Sequence, residues 1–286
     1  MNPLQPIDDL WDFGDPEGTE AKFREVIQNA EDESFLAEVT TQIARTKSLR
    51  RHFDEAHETL DGVAGLLPRV APRVEVRYLL ERGRTWNSSG AKDKAKELFY
   101  TAFDMAKQVG DDYLTVDAAH MLAIVEEPQA ALEWNLLGFR ILEESQQERA
   151  KSWIGALSNN IAWSYHDIGE FETALAYFEK GLEYRRSVGK EPMLRIALWA
   201  VARCKRSLGR NEEALEEQLA IQRDYFPNVD EIDGYVAEEI AECLLALEKR
   251  QEAREYFALA HKQLSADEWL SQNEPGRIAR LKELAS

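Results

Sequence analysis

The sequence predicts an all-α protein, an α-solenoid of about six stacked helix pairs. Three observations carry that expectation. The first is composition: across 286 residues, 44% are apolar, only 15 are Gly and 9 are Pro, and the helix formers Ala, Leu, Glu, Arg and Gln dominate. The second is a recurring motif of a small residue, three spacers, an aromatic or apolar residue, two spacers, and a small or apolar residue. The third is a glycine set between two apolar patterns of helical spacing, where a helix ends most easily in a left-handed residue.

The repeat is read by laying the segments over one another. Ala174, Phe178 and Gly181 align with Ala95, Phe99 and Ala102 and with Ala253, Phe257 and Ala260. Weaker copies are Ala56, Leu60 and Val63; Ala130, Trp134 and Leu137; and Ala214, Gln218 and Ile221. Successive alanines lie 39, 35, 44, 40 and 39 residues apart, a period near forty. Upstream of the motif run first-helix patterns such as Leu79, Gly83 and Trp86, or Ser158, Ile161, Ala162 and Tyr165. Gly90, Gly169 and Gly209 fall between the two patterns, so each unit is two helices joined by a tight turn. Around the array of residues 33–265, residues 1–32 form an N-terminal segment and half-repeat on Thr19, Phe23 and Val26, stapled by Trp11 with Asp12 and Phe13. Residues 266–286 form capping helices: Ser265 to Glu268 reads as a capping box, and Glu274-Pro275 restarts a helix with Ile278, Leu281 and Leu284 on one face. No linker interrupts the chain, which reads as one continuous domain.

The motif resembles the tetratricopeptide repeat, W-x2-L-G-x2-Y followed by A-x3-F. In the best copy Ile161 and Ala162 stand at the Leu-Gly pair, Tyr165 at the tyrosine, Gly169 and Phe171 at the turn, and Ala174 and Phe178 on the second helix. Ser158 takes the tryptophan position, Lys47 and Lys205 the tyrosine, and Gln218 the phenylalanine. The general look is similar to that of stand-alone bacterial tetratricopeptide proteins. The resemblance implies a right-handed superhelix whose first helices line a concave face.

Composition removes several function classes. A formal charge of −18 repels phosphate backbones and anionic membranes, so neither nucleic acid nor membrane is expected as a partner. The opening MNPLQPIDDLWDF lacks the basic start and apolar stretch of a secretory signal, which leaves the cytoplasm as the expected location. Cys204 and Cys243 stand far apart, outside any CxxC pairing, and are expected to be free thiols. The five histidines form no metal-ligand spacing, and no GxSxG, GxGxxG, Walker or HExxH motif occurs, so no metal and no cofactor is expected.

What remains is the row of first-helix positions that the resemblance turns toward the concave side. Read at i, i+4, i+7 it runs Thr41, Arg45, Ser48; Leu80, Arg84, Asn87; Thr115, Ala119, Leu122; Asn159, Trp163, His166; Trp199, Arg203, Arg206; Glu238, Glu242, Leu245. Its first five repeats hold four arginines and no acid, where composition would put about three acids. The groove residues so identified are Arg45, Arg84, Asn87, Asn159, Trp163, His166, Trp199, Arg203 and Arg206. Arginine forks suit carboxylates and tryptophan faces suit apolar side chains, so the expected function is non-enzymatic binding of a protein or peptide with an acidic or carboxylate-bearing segment. The bland reading weighs nearly as much: the tryptophans fill space between repeats, and Arg203 and Arg206 pair with Glu238 or Glu242. Two other readings are a regulatory protein that senses a peptide or metabolite, and, last, an enzyme using His166 on a phosphorylated substrate. The lysines of the family's chaperone-tail carboxylate clamp are missing, although Asn87 and Asn159 lie on the row.

Overall fold

In a computed structural model, which describes residues 7–28 and 30–286, the chain folds into helices throughout, with no strand among the described residues. They group into two compact units, divided between Trp153 and Ile154.

The first unit opens with a 3-10 turn, Ile7–Leu10, and α1, Pro16–Gln28. Three helical hairpins follow: α2 (Glu33–Leu49) with α3 (Phe53–Ala64), α4 (Pro72–Ser88) with α5 (Lys92–Val109), and α6 (Asp112–Val125) with α7 (Pro128–Glu144). A short 3-10 turn, Leu67–Arg69, follows α3, and another, Ala150–Trp153, ends the unit. The sequence marks the starts in residues that satisfy otherwise orphaned amides. Asp32 caps α2 through the Phe35 amide and Asp111 caps α6 through Leu114, whereas Pro72 and Pro128 sit where the missing N–H costs nothing.

The second unit repeats the plan with α8 (Ile154–Asp167) and α9 (Phe171–Val188), α10 (Met193–Ser207) and α11 (Asn211–Tyr225), α12 (Gly234–Ala246) and α13 (Arg250–Leu264). The short α14 (Glu268–Asn273) and α15 (Pro275–Leu284) close it, with α15 against α13. Among the described residues six hairpins are therefore present, as the sequence predicts.

The repeat motif supplies the core of both units. Ala95, Phe99 and Ala102, Ala174 and Phe178, and Ala253, Phe257 and Ala260 are all buried, the small residues letting helices approach while the aromatics fill the wedge. A Cβ built on Gly83 of α4 would lie 2.4 Å from the Phe99 ring, which is why that contact demands glycine. Gly169 turns α8 into α9 at φ +84°, and Gly90 and Gly209 do the same between their helices, as expected. Two hairpins manage the left-handed turn without glycine, at Arg51 and Glu248.

Two details differ from the sequence reading. In α7 the buried positions are Leu132, Asn135, Gly138, Phe139 and Leu142. The motif copy is therefore Ala131, Asn135 and Gly138, one residue beyond Ala130, Trp134 and Leu137. A buried asparagine at the aromatic position hides the register. Trp134 instead packs edge-on against Phe103 (5.0 Å) and Tyr100 (5.6 Å). At the C-terminal end the N-cap of α14 is Asp267, which accepts the Leu270 amide at 3.1 Å, and Ser265 is instead the C-cap of α13.

Candidate functional site

Five of the expected groove residues come together in the second unit. Trp163 of α8, Trp199 of α10 and Tyr235 of α12 are spaced 36 residues apart and stand side by side: the tryptophan centroids are 6.0 Å apart, and Tyr235 meets Trp199 edge-on at 6.1 Å. Trp163 is held below by Phe178 (4.9 Å) and beside it by His166 (5.2 Å). The Arg203 guanidinium lies 5.7 Å from the Trp163 ring centre and 5.6 Å from that of Trp199, within cation–π range of both.

Helix geometry explains the grouping. Positions 199, 203 and 206 fall on one face of α10, and the adjacent first helix α12 presents Tyr235 and Glu239 to them. Glu239, 1% exposed, takes a bond from Arg203 and a paired one from Arg206, Nε to Oε2 at 2.7 Å and Nη2 to Oε1 at 3.1 Å. Burial disfavours charge on Arg206, but the Glu239 bonds more than compensate and raise its pKa. The expected partners Glu238 and Glu242 serve others: Glu238 holds Arg277, and Glu242 holds Arg280, both of α15. One residue along a helix is about 100° of rotation, so the partner of an arginine row cannot be read from composition. Two arginines against one carboxylate leave a surplus positive charge on a half-exposed aromatic face.

Beside this face lies a cleft of about 360 Å³ lined by Pro192, Ile196, Trp199, Asp233, Tyr235 and Val236. Ile196 and Tyr235 are among the exposed large side chains. His166 places Nε2 2.8 Å from the Ser207 hydroxyl, and burial, then the Arg203 charge, lowers its pKa below the ordinary value. The imidazole is hydrogen-bonded and its surroundings oppose protonation. Asn159, half-buried, reaches the neighbouring Asn160 amide at 3.5 Å.

The other three, Arg45, Arg84 and Asn87, belong to the first unit, where with Ser48 and Met121 they line a shallow recess of about 180 Å³. Here the row is not free of packing: Thr41, Leu80, Thr115, Ala119 and Leu122 are buried, and Arg84 is 9% exposed. Arg84 Nη1 donates to Glu81 at 2.7 Å, and Nη2 bonds Asp117. Despite burial, Asp117 and Glu81 hold Arg84 firmly protonated, while Arg84 and Arg45 keep Asp117 below the usual carboxylate range against the opposing effect of its burial. Arg84 is thus the bridge of a buried ion network, and Arg45 reaches Glu81 at its edge, 3.5 Å away. Sequence reasoning missed Glu81, Asp117, Glu239 and Tyr235. The exact 36-residue step from Trp163 through Trp199 to Tyr235 was the available signal for the last of these.

Among the described residues no group of three or more His, Cys, Asp or Glu is arranged to hold a metal ion. No helix among them is long and apolar enough to cross a membrane. Cys204 and Cys243 are free and buried, as expected.

Comparison with known proteins agrees with this architecture. Residues 156–187, the α8–α9 hairpin, match the tetratricopeptide repeat family. The chain is built from tetratricopeptide-like repeats. No curated protein sequence matches it. Among solved structures, the apo form of the quorum sensor NprR from B. thuringiensis is similar at 16% identity and TM-score 0.61, over 97% of this chain and 78% of that one. The apo form of RapI is similar at 12% identity and TM-score 0.70, over 92% and 74% of the two chains. NprR in complex with its cognate peptide NprX superposes at 19% identity and TM-score 0.53, over 97% and 81%. At these identities the likeness carries the α-solenoid fold of this tetratricopeptide-like protein, and its binding chemistry has to be argued from its own residues.

Proposed function

We propose that this tetratricopeptide-like protein is a non-enzymatic binding module whose second unit takes a peptide segment carrying a carboxylate next to an apolar side chain. The observation that carries the reading is Arg203, half-exposed, lying over Trp163 and Trp199 at once while sharing Glu239 with Arg206. The surplus guanidinium charge suits the carboxylate, and the cleft between Ile196, Trp199 and Tyr235 suits the side chain. Glu239, Glu238 and Glu242 fix Arg203, Arg206, Arg277 and Arg280 before any ligand arrives, so little side-chain ordering is left to oppose binding. The similarity to NprR, solved with its peptide NprX, supports a peptide as the ligand class.

The test is fluorescence polarisation with a set of dye-labelled pentapeptides, each made with a free and an amidated C terminus, titrated into the full chain. A free-acid peptide with an aromatic or branched aliphatic residue at or beside its end is expected to bind, with at least about tenfold loss on amidation or in Arg203→Ala, one tenfold step being about 1.4 kcal/mol. Equal binding of acid and amide, unchanged in Arg203→Ala, would reject the reading.

A peptide-sensing regulator is the second reading, favoured by the similarity to a quorum sensor. Small-angle scattering separates the two: a change in radius of gyration with the bound peptide marks a sensor, and constancy marks a scaffold.

A further inference from the structure

The first unit carries an occupied face of its own. Residues 7–13, IDDLWDF, run across its first helices and are held there by side chains of α2 and α4 and by Arg149. Just past the 3-10 turn Ile7–Leu10 the Trp11 amide donates to the Asp8 carbonyl at 3.4 Å, which ties the two residues together. Asp8 accepts from Arg77 of α4 at 2.8 Å and also pairs with Arg149. Trp11 donates its indole N–H to Gln42 of α2 at 3.0 Å, meets Phe23 edge-on at 5.4 Å and stacks on Phe13 at 4.9 Å. Arg45 covers that stack, 5.3 Å from the Trp11 ring and 5.2 Å from Phe13.

A segment that merely covered apolar surface would need Ile7 and Trp11 alone. This one also brings a carboxylate to Arg77, a side chain only 1% exposed, and leaves Phe13 60% exposed on top of a guanidinium. On the receiving face Arg77 also donates to Glu38 at 3.2 Å and Arg45 to Glu81 at 3.5 Å, so Asp8 is a further carboxylate added to arginines already held in place. Burial, and then the charge of Arg84, weakens the hold of Arg45 on its proton, and its Nε has no hydrogen-bond partner. Arg45, Arg77 and Arg149 thus act as a preset receptor in which carboxylate and indole positions are fixed three residues apart.

We propose that this face of the first unit is a docking site for an acidic, tryptophan-centred peptide segment of a partner protein, and that residues 7–13 are its resident intrachain occupant, displaced by such a partner. The site is separate from the carboxylate face of the second unit, and stands or falls independently of it. Specificity follows from the contacts: a carboxylate three residues before a tryptophan, and a second aromatic two residues after it. Tethering gives the resident segment an effective concentration in the millimolar range, so a free peptide competes poorly until the resident is weakened.

The probe is the synthetic peptide IDDLWDFGD, residues 7–15 of the chain, acetylated, with fluorescein on an added C-terminal lysine. It is titrated into full-length wild type, Asp8→Asn and Trp11→Ala. Asp8→Asn preserves shape and removes only the charge, so it reports even if the tryptophan truncation disturbs the fold. Both variants are expected to bind the probe at least fivefold more tightly than wild type. A probe with alanine in place of its tryptophan should bind the variants at least tenfold more weakly than the intact probe. If the variants bind no better than wild type, or the tryptophan-less probe binds as well, the proposal is overturned. A wild-type dimer that forms with rising concentration and is lost in both variants would assign the segment to exchange between two copies, and would equally overturn the partner reading.

Discussion

Trp199 donates its indole N–H to the backbone carbonyl of Tyr235, 3.2 Å away, joining the first helices of two successive repeats. The bond sits at the first turn of α12, beside the cleft, and fixes the ring whose face Arg203 covers. Trp199→Phe keeps an aromatic ring at this position while removing the N–H donor and the second ring of the indole. It is expected to lower stability by about 0.5–1.5 kcal/mol, measured by urea unfolding, since the carbonyl keeps its intrahelical partner. A larger effect on peptide affinity than on stability would mark the ring's orientation as the functional quantity.

Arg84 is the counter-charge for two buried carboxylates, Glu81 and Asp117. Arg84→Met removes the ion-pair partner of Asp117 and leaves Glu81 only the longer contact to Arg45, and a destabilisation of about 3–5 kcal/mol is expected by chemical denaturation. Adding Glu81→Gln and Asp117→Asn to Arg84→Met should recover much of it, because it is the stranded charge and not the missing attraction that dominates.

Stability should depend on pH between neutrality and mild acid. Burial, with the nearby charges of Arg82, Arg84 and Arg203 respectively, lowers the pKa of His57, His120 and His166. The unfolded chain takes up these protons near pH 6.5 while the folded chain resists them, so stability is complete above that point and falls as the pH drops below it toward the folded values. The urea midpoint is expected to decrease from pH 7.5 to 5.5, and His120→Gln should flatten the dependence. A midpoint constant over this window would refute the assignment. The depressed Asp117 behaves oppositely in range: its contribution is present above about pH 4 and is lost only in stronger acid.

Both thiols should be inert in the native state. Burial pushes Cys204 up to about 11 and Cys243 up to about 12, and each is shielded from solvent. At pH 8 an aromatic disulfide reagent is expected to release no colour until denaturant is added, then two equivalents per chain.

Sequence alone determined the repeat, the hairpin turns and the helix pairs of this protein, because each of these is set by residues within one forty-residue unit. Ala174, Phe178 and Gly169 report local packing and local backbone conformation, and those do not depend on what lies in the next repeat. The one register error, at Ala131, Asn135 and Gly138, arose where a polar residue stood in the aromatic wedge and the local pattern fell silent.

Only the tertiary structure decided which charges remain for a partner. Arg84, Arg203 and Arg206 look alike in the sequence, yet Arg84 is sealed between Glu81 and Asp117 whereas Arg203 and Arg206 share one Glu239 beside two tryptophans. Each of Asp117 and Glu239 lies 33 residues beyond its arginine, at Arg84 and Arg206, and meets it through the rotation and spacing of two packed helices. A shift of one position, from Glu239 to Glu238, turns a carboxylate by about 100° and gives it to a different arginine. Periodicity in a sequence specifies which residues share a helix face, while the pairing of charges across faces is fixed only when the helices stack.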